Sequence, residues 1–218
     1  MTAAMHEWGA DPDRAALAVL TVHGRGQDPS FMEETARRLG PVPVRFFAPE
    51  AEGNTWYPLS FLEPAERNEP ALSRSLRVLD SAVDTLAGAG FPAERVVLWG
   101  FSQGACLASH LALTAPRAFA GLVLFTGGYI GTSPPAVAGG GPLRGVPTVM
   151  RSIEHDPWVP RYRVDETADL LRRAGARVDL RVDEGDEHII TDEACAAATT
   201  LLTTVANGSA GTAAGHAT

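Results

Sequence analysis

Residues 95–108 read Arg-Val-Val-Leu-Trp-Gly-Phe-Ser-Gln-Gly-Ala-Cys-Leu-Ala, and they join three features that together indicate a fold. The apolar run at 96–99 is typical of a buried parallel strand. The pattern Gly-x-Ser-x-Gly follows at 100–104, and an alanine- and leucine-rich segment with helical character comes next. A strand, this pentapeptide and a helix in succession are the setting of a nucleophile elbow, a tight turn that presents a serine side chain.

The residue types of this turn suit a catalytic serine at position 102. A serine on a tight strand-to-helix turn has a strained backbone, and the residues two positions away come very close to their neighbours. Gly100 and Gly104 have no Cβ that could clash there. The N-terminus of the following helix favours negative charge near the serine oxygen. The pentapeptide alone could arise by chance in a glycine-rich chain, but the flanking strand and helix favour Ser102 as a nucleophile.

Length, charge and cysteine content narrow the class of protein. A chain of 218 residues fits one domain with a substantial core. The net charge of −8 disfavours a nucleic-acid partner, because the phosphates would be repelled. No signal-peptide pattern and no apolar run of membrane-spanning length is present, and the only cysteines, Cys106 and Cys195, are too few for a disulfide framework. We therefore expect a cytoplasmic protein without a membrane span.

Apolar runs and amphipathic segments alternate along the chain. Six strands are predicted, at 17–22, 42–47, 96–99, 121–125, 146–153 and 178–182. This alternation predicts an α/β fold, with a mostly parallel sheet of six to seven strands and helices on both faces. The predicted domain spans 17–206, after an N-terminal leader at 1–16 and before a flexible tail at 207–218. Active sites of such sheets lie at the carboxyl ends of the strands.

A serine nucleophile needs a base, and six histidines compete for that role. Five of them lie near a terminus, in the first loop, within a helix or directly before an aspartate: His6, His216, His23, His110 and His155. His188 follows the last predicted strand in a flexible turn, from which it can reach the elbow. We therefore predict His188 as the base, and an exposed turn histidine is the alternative interpretation.

The base in turn needs an acid that orients it. Asp156 closes the fifth predicted strand, and the order Ser102, Asp156, His188 is the order found in α/β hydrolases. Glu154 is the nearest competitor, but it should still lie within the strand end. Four acids that share the turn of His188 are expected to be solvated.

When a serine nucleophile attacks, the negative charge that develops in the transition state needs backbone N–H donors to stabilise it. One should be the amide of Gln103, the residue after the nucleophile. The other should come from the loop 23–26, and the amide of Arg25 is the candidate.

These motifs together resemble the phospholipase/carboxylesterase family of small α/β hydrolases, which includes acyl-protein thioesterases and bacterial carboxylesterases. The resemblance covers roughly residues 17–205. It is carried by His23-Gly24 after a strand, the elbow, the segment 156–160 and a Gly-x-x-His that ends at His188. The resemblance implies a serine esterase that acts on carboxylic esters or thioesters with no metal or organic cofactor. Arg25 stands where this family often has an apolar residue.

The expected substrate is a small-molecule ester with a small to medium apolar acyl or aromatic group, cleaved through an acyl-enzyme. Five aromatic residues are the predicted walls of the substrate site: Trp56, Tyr57, Phe101, Tyr129 and Trp158. A thioesterase or a biosynthetic or catabolic tailoring hydrolase would have the same scaffold and triad. A non-catalytic ligand-binding relic is a further alternative, although a pure binder need not retain all three triad residues. Assembly into a homodimer is left open.

Overall fold

A seven-stranded sheet forms the centre of the computed structural model, which describes residues 5–137 and 141–214 and the side chains as far as residue 208. Its strands are β1 (His6–Gly9), β2 (Leu17–Val22), β3 (Val44–Ala48), β4 (Val96–Phe101), β5 (Gly121–Phe125), β6 (Pro147–Ile153) and β7 (Arg177–Asp183). The spatial order is β1-β3-β2-β4-β5-β6-β7. All neighbouring strands are parallel except β1, which pairs antiparallel with β3.

The central strands are buried on both faces, as their continuous apolar sequence predicts. All residues of β2, β4 and β5 are buried. Successive side chains alternate between two separate cores: Val97 and Trp99 belong to one, and Val96 and Leu98 to the other. Helices on both faces are therefore needed to cover the sheet.

Within the part of the chain that the structure describes, five α-helices supply that cover. They are α1 (Pro29–Arg37), α2 (Ala71–Gly88), α3 (Gln103–Thr114), α4 (Arg161–Arg173) and α5 (Asp192–Ala214). Helices α2, α3 and α4 pack into the core on one face, while α1 and α5 pack into the core on the other. The predicted α/β architecture with helices on both faces is confirmed.

The structure differs from the predicted elements near both termini. Strand β1 lies within the predicted leader, and its short, mostly exposed sequence His-Glu-Trp-Gly carries no apolar run that would reveal it. Helix α5 continues to Ala214 and so extends into the segment 207–218, which the sequence predicted as a flexible tail. Alanine recurs through 206–214 and has the highest helix propensity, which offsets the glycines of this segment. Residues 215–218 of the predicted tail lie outside the described residues.

No helix within residues 5–137 and 141–214 has both the length and the apolar character required to cross a membrane.

Candidate active site

Ser102 lies at a sharp turn between β4 and α3. Its backbone has φ 54° and ψ −120°, a conformation that L-residues rarely adopt, and its amide donates to the Phe125 carbonyl at 2.9 Å. The turn is tight enough that a Cβ at Gly100 would lie 2.5 Å from the Ala105 nitrogen. A Cβ at Gly104 would lie 2.0 Å from the Val22 carbonyl oxygen. Both glycines of the pentapeptide are therefore required by close backbone approach.

Three side chains from the carboxyl ends of three strands meet at this turn. Ser102 Oγ lies 2.8 Å from His188 Nε2, and His188 Nδ1 lies 2.6 Å from Asp156 Oδ2. This arrangement fits the tautomer in which Nδ1 carries the proton and donates to Asp156, so that Nε2 can accept from the serine hydroxyl. The structure thus brings the predicted nucleophile, base and acid together in one hydrogen-bonded chain.

Asp156 is fixed in place by its own loop. Its Oδ1 accepts hydrogen bonds from the amides of Trp158 at 2.8 Å and Val159 at 2.9 Å. Burial alone would raise the pKa of Asp156, but the hydrogen bonds from His188 and the two amides together hold that pKa below its ordinary value. The carboxylate therefore remains ionised at neutral pH.

One competing acid and one competing base are engaged elsewhere. Glu154 forms an ion pair with Arg161 at the surface. His23 is buried, with Nδ1 donating to the Gly24 carbonyl at 2.8 Å and Nε2 accepting from the Ala51 amide at 3.2 Å. Burial lowers the pKa of His23 and keeps its ring neutral. Neither residue therefore competes for the position of Asp156 or His188.

The loop after β2 lies directly against the serine. A Cβ at Gly24 would be 3.2 Å from the Cβ of Ser102. Among the described residues, the amide of Arg25 donates to no acceptor. Gln103 is the first residue of α3, so its amide has no acceptor within that helix. Neither predicted oxyanion donor therefore has a hydrogen-bond acceptor among the described residues.

A cavity of about 470 Å³ opens beside Ser102 and His188. Three of the five predicted wall residues line it: Tyr57, Phe101 and Trp158. The remaining wall includes the successive residues Pro58, Leu59, Ser60 and Phe61, together with Gln27, Cys106 and Val159. Burial raises the pKa of the Cys106 thiol to about 12, so it lines the cavity as a neutral group.

Trp56 and Tyr129 do not line this cavity, which corrects their prediction as substrate walls. The Trp56 indole is 3% exposed and donates to the His23 carbonyl at 2.9 Å. Tyr129 is 1% exposed, and its hydroxyl donates to Glu166 at 2.9 Å. Both rings serve to pack their loops against the fold.

Sequence reasoning missed the segment 58–61 as part of the site. The available signal was its position, because the loop that carries it follows the carboxyl end of β3. Outside the described lining of the cavity, Thr126 follows β5 with φ 49° and a buried hydroxyl that has no partner among the described residues. A positive φ at a β-branched residue is rare and has no sequence signature.

Among the residues that the structure describes, no three His, Cys, Asp or Glu side chains converge to hold a metal ion.

Comparison with known proteins gives this geometry a context. A family model described as phospholipase/carboxylesterase matches residues 9–206. The chain belongs to the phospholipase/carboxylesterase family. The crystal structure of a family member from Dyadobacter fermentans superimposes with a TM-score of 0.85 at 30% sequence identity, and the match covers 92% of this chain and 96% of that one.

Two further comparisons concern a relative by sequence and a solved structure that shares the fold. Acyl-protein thioesterase 1 of Schizosaccharomyces pombe is 27% identical over an aligned length of 214, and the match covers 88% of this chain and 93% of the yeast protein. A carboxylesterase from Mesorhizobium loti shares the fold, with a TM-score of 0.72 at 23% identity over 91% of this chain and 93% of that one. The resemblance inferred from the motifs is confirmed, and the protein is an ester hydrolase of the α/β-hydrolase superfamily.

Proposed function

We propose that this protein is a serine carboxylesterase in which Ser102 is the nucleophile, His188 the general base and acid, and Asp156 the residue that orients His188. The hydrogen-bonded chain from Ser102 Oγ through His188 to Asp156, with distances of 2.8 Å and 2.6 Å, is the observation that carries the proposal. Such a chain lets one imidazole remove a proton from the hydroxyl and later return it.

In the first half of the reaction, Ser102 Oγ attacks the ester carbonyl carbon and its proton passes to His188 Nε2. The carbonyl oxygen becomes an oxyanion, which accepts hydrogen bonds from the amides of Gln103 and Arg25. The intermediate then collapses, the bond to the leaving alcohol breaks, and His188 gives its proton to that alcohol.

In the second half, a water molecule attacks the acyl-enzyme and passes a proton to His188. The bond between the acyl carbon and Ser102 Oγ breaks, the carboxylic acid leaves, and His188 returns the proton to Ser102. The ionised carboxylate of Asp156 stabilises the imidazolium in both halves.

The cavity supports a substrate with a small to medium apolar acyl or aromatic group. Tyr57, Leu59 and Phe61 contribute apolar surface to its lining. Arg25 is the only Asp, Glu, Lys or Arg among the described lining residues, and its guanidinium is already bonded to three backbone carbonyls. An uncharged acyl group therefore fits this site better than a charged one, since no free countercharge is present in the described lining.

A thioesterase is the second candidate, favoured by the 27% identity to a yeast acyl-protein thioesterase. Thioester and oxyester cleavage use the same nucleophile, base and oxyanion donors, so the two functions differ only in the leaving group. The cytoplasm is the compartment that we propose, because Cys106 and Cys195 are both buried and unpaired. Assembly into a homodimer stays a prediction.

The proposal is tested by hydrolysis of a panel of p-nitrophenyl esters and acyl-CoA thioesters by wild-type protein and by Ser102→Ala. We expect short and medium oxyesters to be cleaved, with loss of that activity in Ser102→Ala and no loss of stability, because a turn hydroxyl contributes little to the fold. Faster cleavage of the thioesters would favour the second candidate. Activity that persists in Ser102→Ala would contradict both.

A further inference from the structure

The Arg25 side chain bonds to the wall of the cavity instead of presenting a free charge to it. Its Nη1 donates to the Pro58 carbonyl at 2.9 Å, and its Nη2 donates to the carbonyls of Tyr57 at 2.9 Å and Leu59 at 2.7 Å. The guanidinium carbon also lies 6.0 Å from the centre of the Tyr57 ring. One guanidinium thus holds three successive carbonyls of the segment 57–59.

The Gln103 side chain bonds to the same loop, at Trp56 and Tyr57. Its Nε2 donates to the Tyr57 carbonyl at 2.8 Å, and its Oε1 accepts from the Trp56 amide at 3.0 Å. Gln103 is 6% exposed, so these bonds form away from solvent. The carbonyl oxygen of Tyr57 therefore accepts from both Arg25 and Gln103.

Arg25 and Gln103 are also the two residues whose backbone amides bind the oxyanion in the proposed function. The Arg25 amide lies in a loop before Gly26, and the Gln103 amide lies at the start of a helix, so no regular element joins them directly. The Tyr57 carbonyl joins them through side chains. Because a misplacement of about 1 Å can cost about a hundredfold in rate, a shared anchor of this kind has a direct catalytic consequence.

We propose that the side chains of Arg25 and Gln103 are positioning residues, which hold the two oxyanion amides at a fixed separation with the Tyr57 carbonyl as their common anchor. This inference rests on the proposed function. The same bonds make the segment 57–59 a fixed wall of the cavity. One set of hydrogen bonds therefore determines both the shape of the acyl site and the positions of the oxyanion amides.

Direct stabilisation of the oxyanion by the charge of Arg25 is the competing account. Arg25→Lys separates the two, because lysine keeps the positive charge but donates from a single nitrogen that cannot replace a fork across three carbonyls. A positioning role for the Arg25 side chain predicts a reduced kcat for Arg25→Lys, whereas a charge effect predicts a kcat close to that of wild type.

Arg95 offers a matched control, because its guanidinium also bonds to three backbone carbonyls. Its guanidinium donates to the carbonyls of Ala16 at 3.0 Å, Gly90 at 3.0 Å and Ala15 at 2.9 Å, and it lies 5.0 Å from the ring of Phe91. Arg95 precedes the amino end of β4, so its bonds are at the end of the sheet remote from Ser102. Arg95→Ala therefore removes the same kinds of contact without touching the oxyanion donors.

The experiment compares kcat and KM for p-nitrophenyl acetate among wild type, Arg25→Ala, Arg25→Lys and Arg95→Ala, with the melting temperature of each. The acetyl group is too small to fill the cavity, so KM should respond little to movement of the wall. We expect kcat to fall by about tenfold to a hundredfold in Arg25→Ala and less in Arg25→Lys, with KM little changed. Arg95→Ala should lose similar stability but retain wild-type kcat.

Three results would overturn the inference alone: an unchanged kcat in Arg25→Ala, an equal loss of kcat in Arg95→Ala, or a wild-type rate in Arg25→Lys beside a slow Arg25→Ala. A loss in Arg25→Ala that appears only in KM is a case of the first result, because kcat is then unchanged. The proposed function fails separately, if Ser102→Ala hydrolyses the same ester at the wild-type rate.

Discussion

The carboxylate of Asp156 accepts hydrogen bonds at both of its oxygens, and its side chain is completely buried. Two amides bind Oδ1 and His188 binds Oδ2, so the carboxylate cannot rotate without losing these bonds. Glu154, two residues earlier, points to an arginine at the surface instead. The two acids of this turn therefore have different roles, which substitution can separate.

We expect Asp156→Asn to lower kcat by about 10⁴-fold, because an amide favours the wrong tautomer of His188 and cannot stabilise its protonated form. Glu154→Gln should retain nearly wild-type kcat, since it loses only a surface ion pair. Steady-state kinetics on p-nitrophenyl acetate measure both. If Glu154→Gln were the inactive variant and Asp156→Asn the active one, Asp156 would not be the orienting acid.

The residues of the hydrogen-bonded chain could be predicted because each has a positional signal. Ser102 lies in a pentapeptide whose two glycines allow the tight turn that presents the serine. Asp156 and His188 each follow a predicted strand. Trp56 and Tyr129 could not be told apart from true wall residues, because an aromatic residue in a loop can face a cavity or the core. Only the contacts of their polar atoms, with the His23 carbonyl and with Glu166, show that they face inwards.

The contact between α3 and the end of β2 determines how closely two elements of the site approach each other. Gly104 lies at the first turn of α3, where an added Cβ would lie 2.0 Å from the Val22 carbonyl oxygen and 2.6 Å from that of His23. This contact joins the helix that carries the Gln103 amide to the loop that carries the Arg25 amide. A side chain here must push the two elements apart.

We expect Gly104→Ala to lower the free energy of unfolding by about 1–3 kcal/mol and to reduce kcat, because the forced separation of backbone atoms cannot be relieved by a rotamer change. Gly88→Ala is the matched control, since Gly88 lies in α2 with no atom within 4 Å of an added Cβ. That variant should be unchanged or more stable by about 0.5–1 kcal/mol. Urea unfolding and ester hydrolysis measure both effects. Equal stability of Gly104→Ala and wild type would contradict the close approach.

Most elements could be predicted from apolar patterning, and the exceptions have physical causes. Strand β1 is held by pairing with β3 and by stacking of Trp8 on Phe46 at 5.2 Å, which are long-range contacts without a local signal. The segment 55–61 forms no regular element at all. Its shape depends on bonds from distant side chains such as Arg25, Gln103 and Asn68, which local propensity does not encode.

In the molecule as a whole, the parallel topology of the sheet brings the residues of the site to one edge of that sheet. Ser102 and His188 are 86 residues apart in sequence, yet the strands before them end at the same edge of the sheet. The general position of the site therefore follows from the order of strands and could be predicted. The size of the cavity and the identity of most lining residues could not, because they depend on how the loops pack over that edge.

If Ser102 is the nucleophile, a covalent inhibitor of serine hydrolases should form its adduct on that residue. Wild-type protein is treated with an alkyl fluorophosphonate, digested, and analysed by peptide mass spectrometry. We expect a single adduct on the peptide that contains Ser102, absent from Ser102→Ala and from denatured wild-type protein, and formed more slowly in Asp156→Asn. An adduct on another residue, or equal labelling of wild type and Ser102→Ala, would contradict the claim.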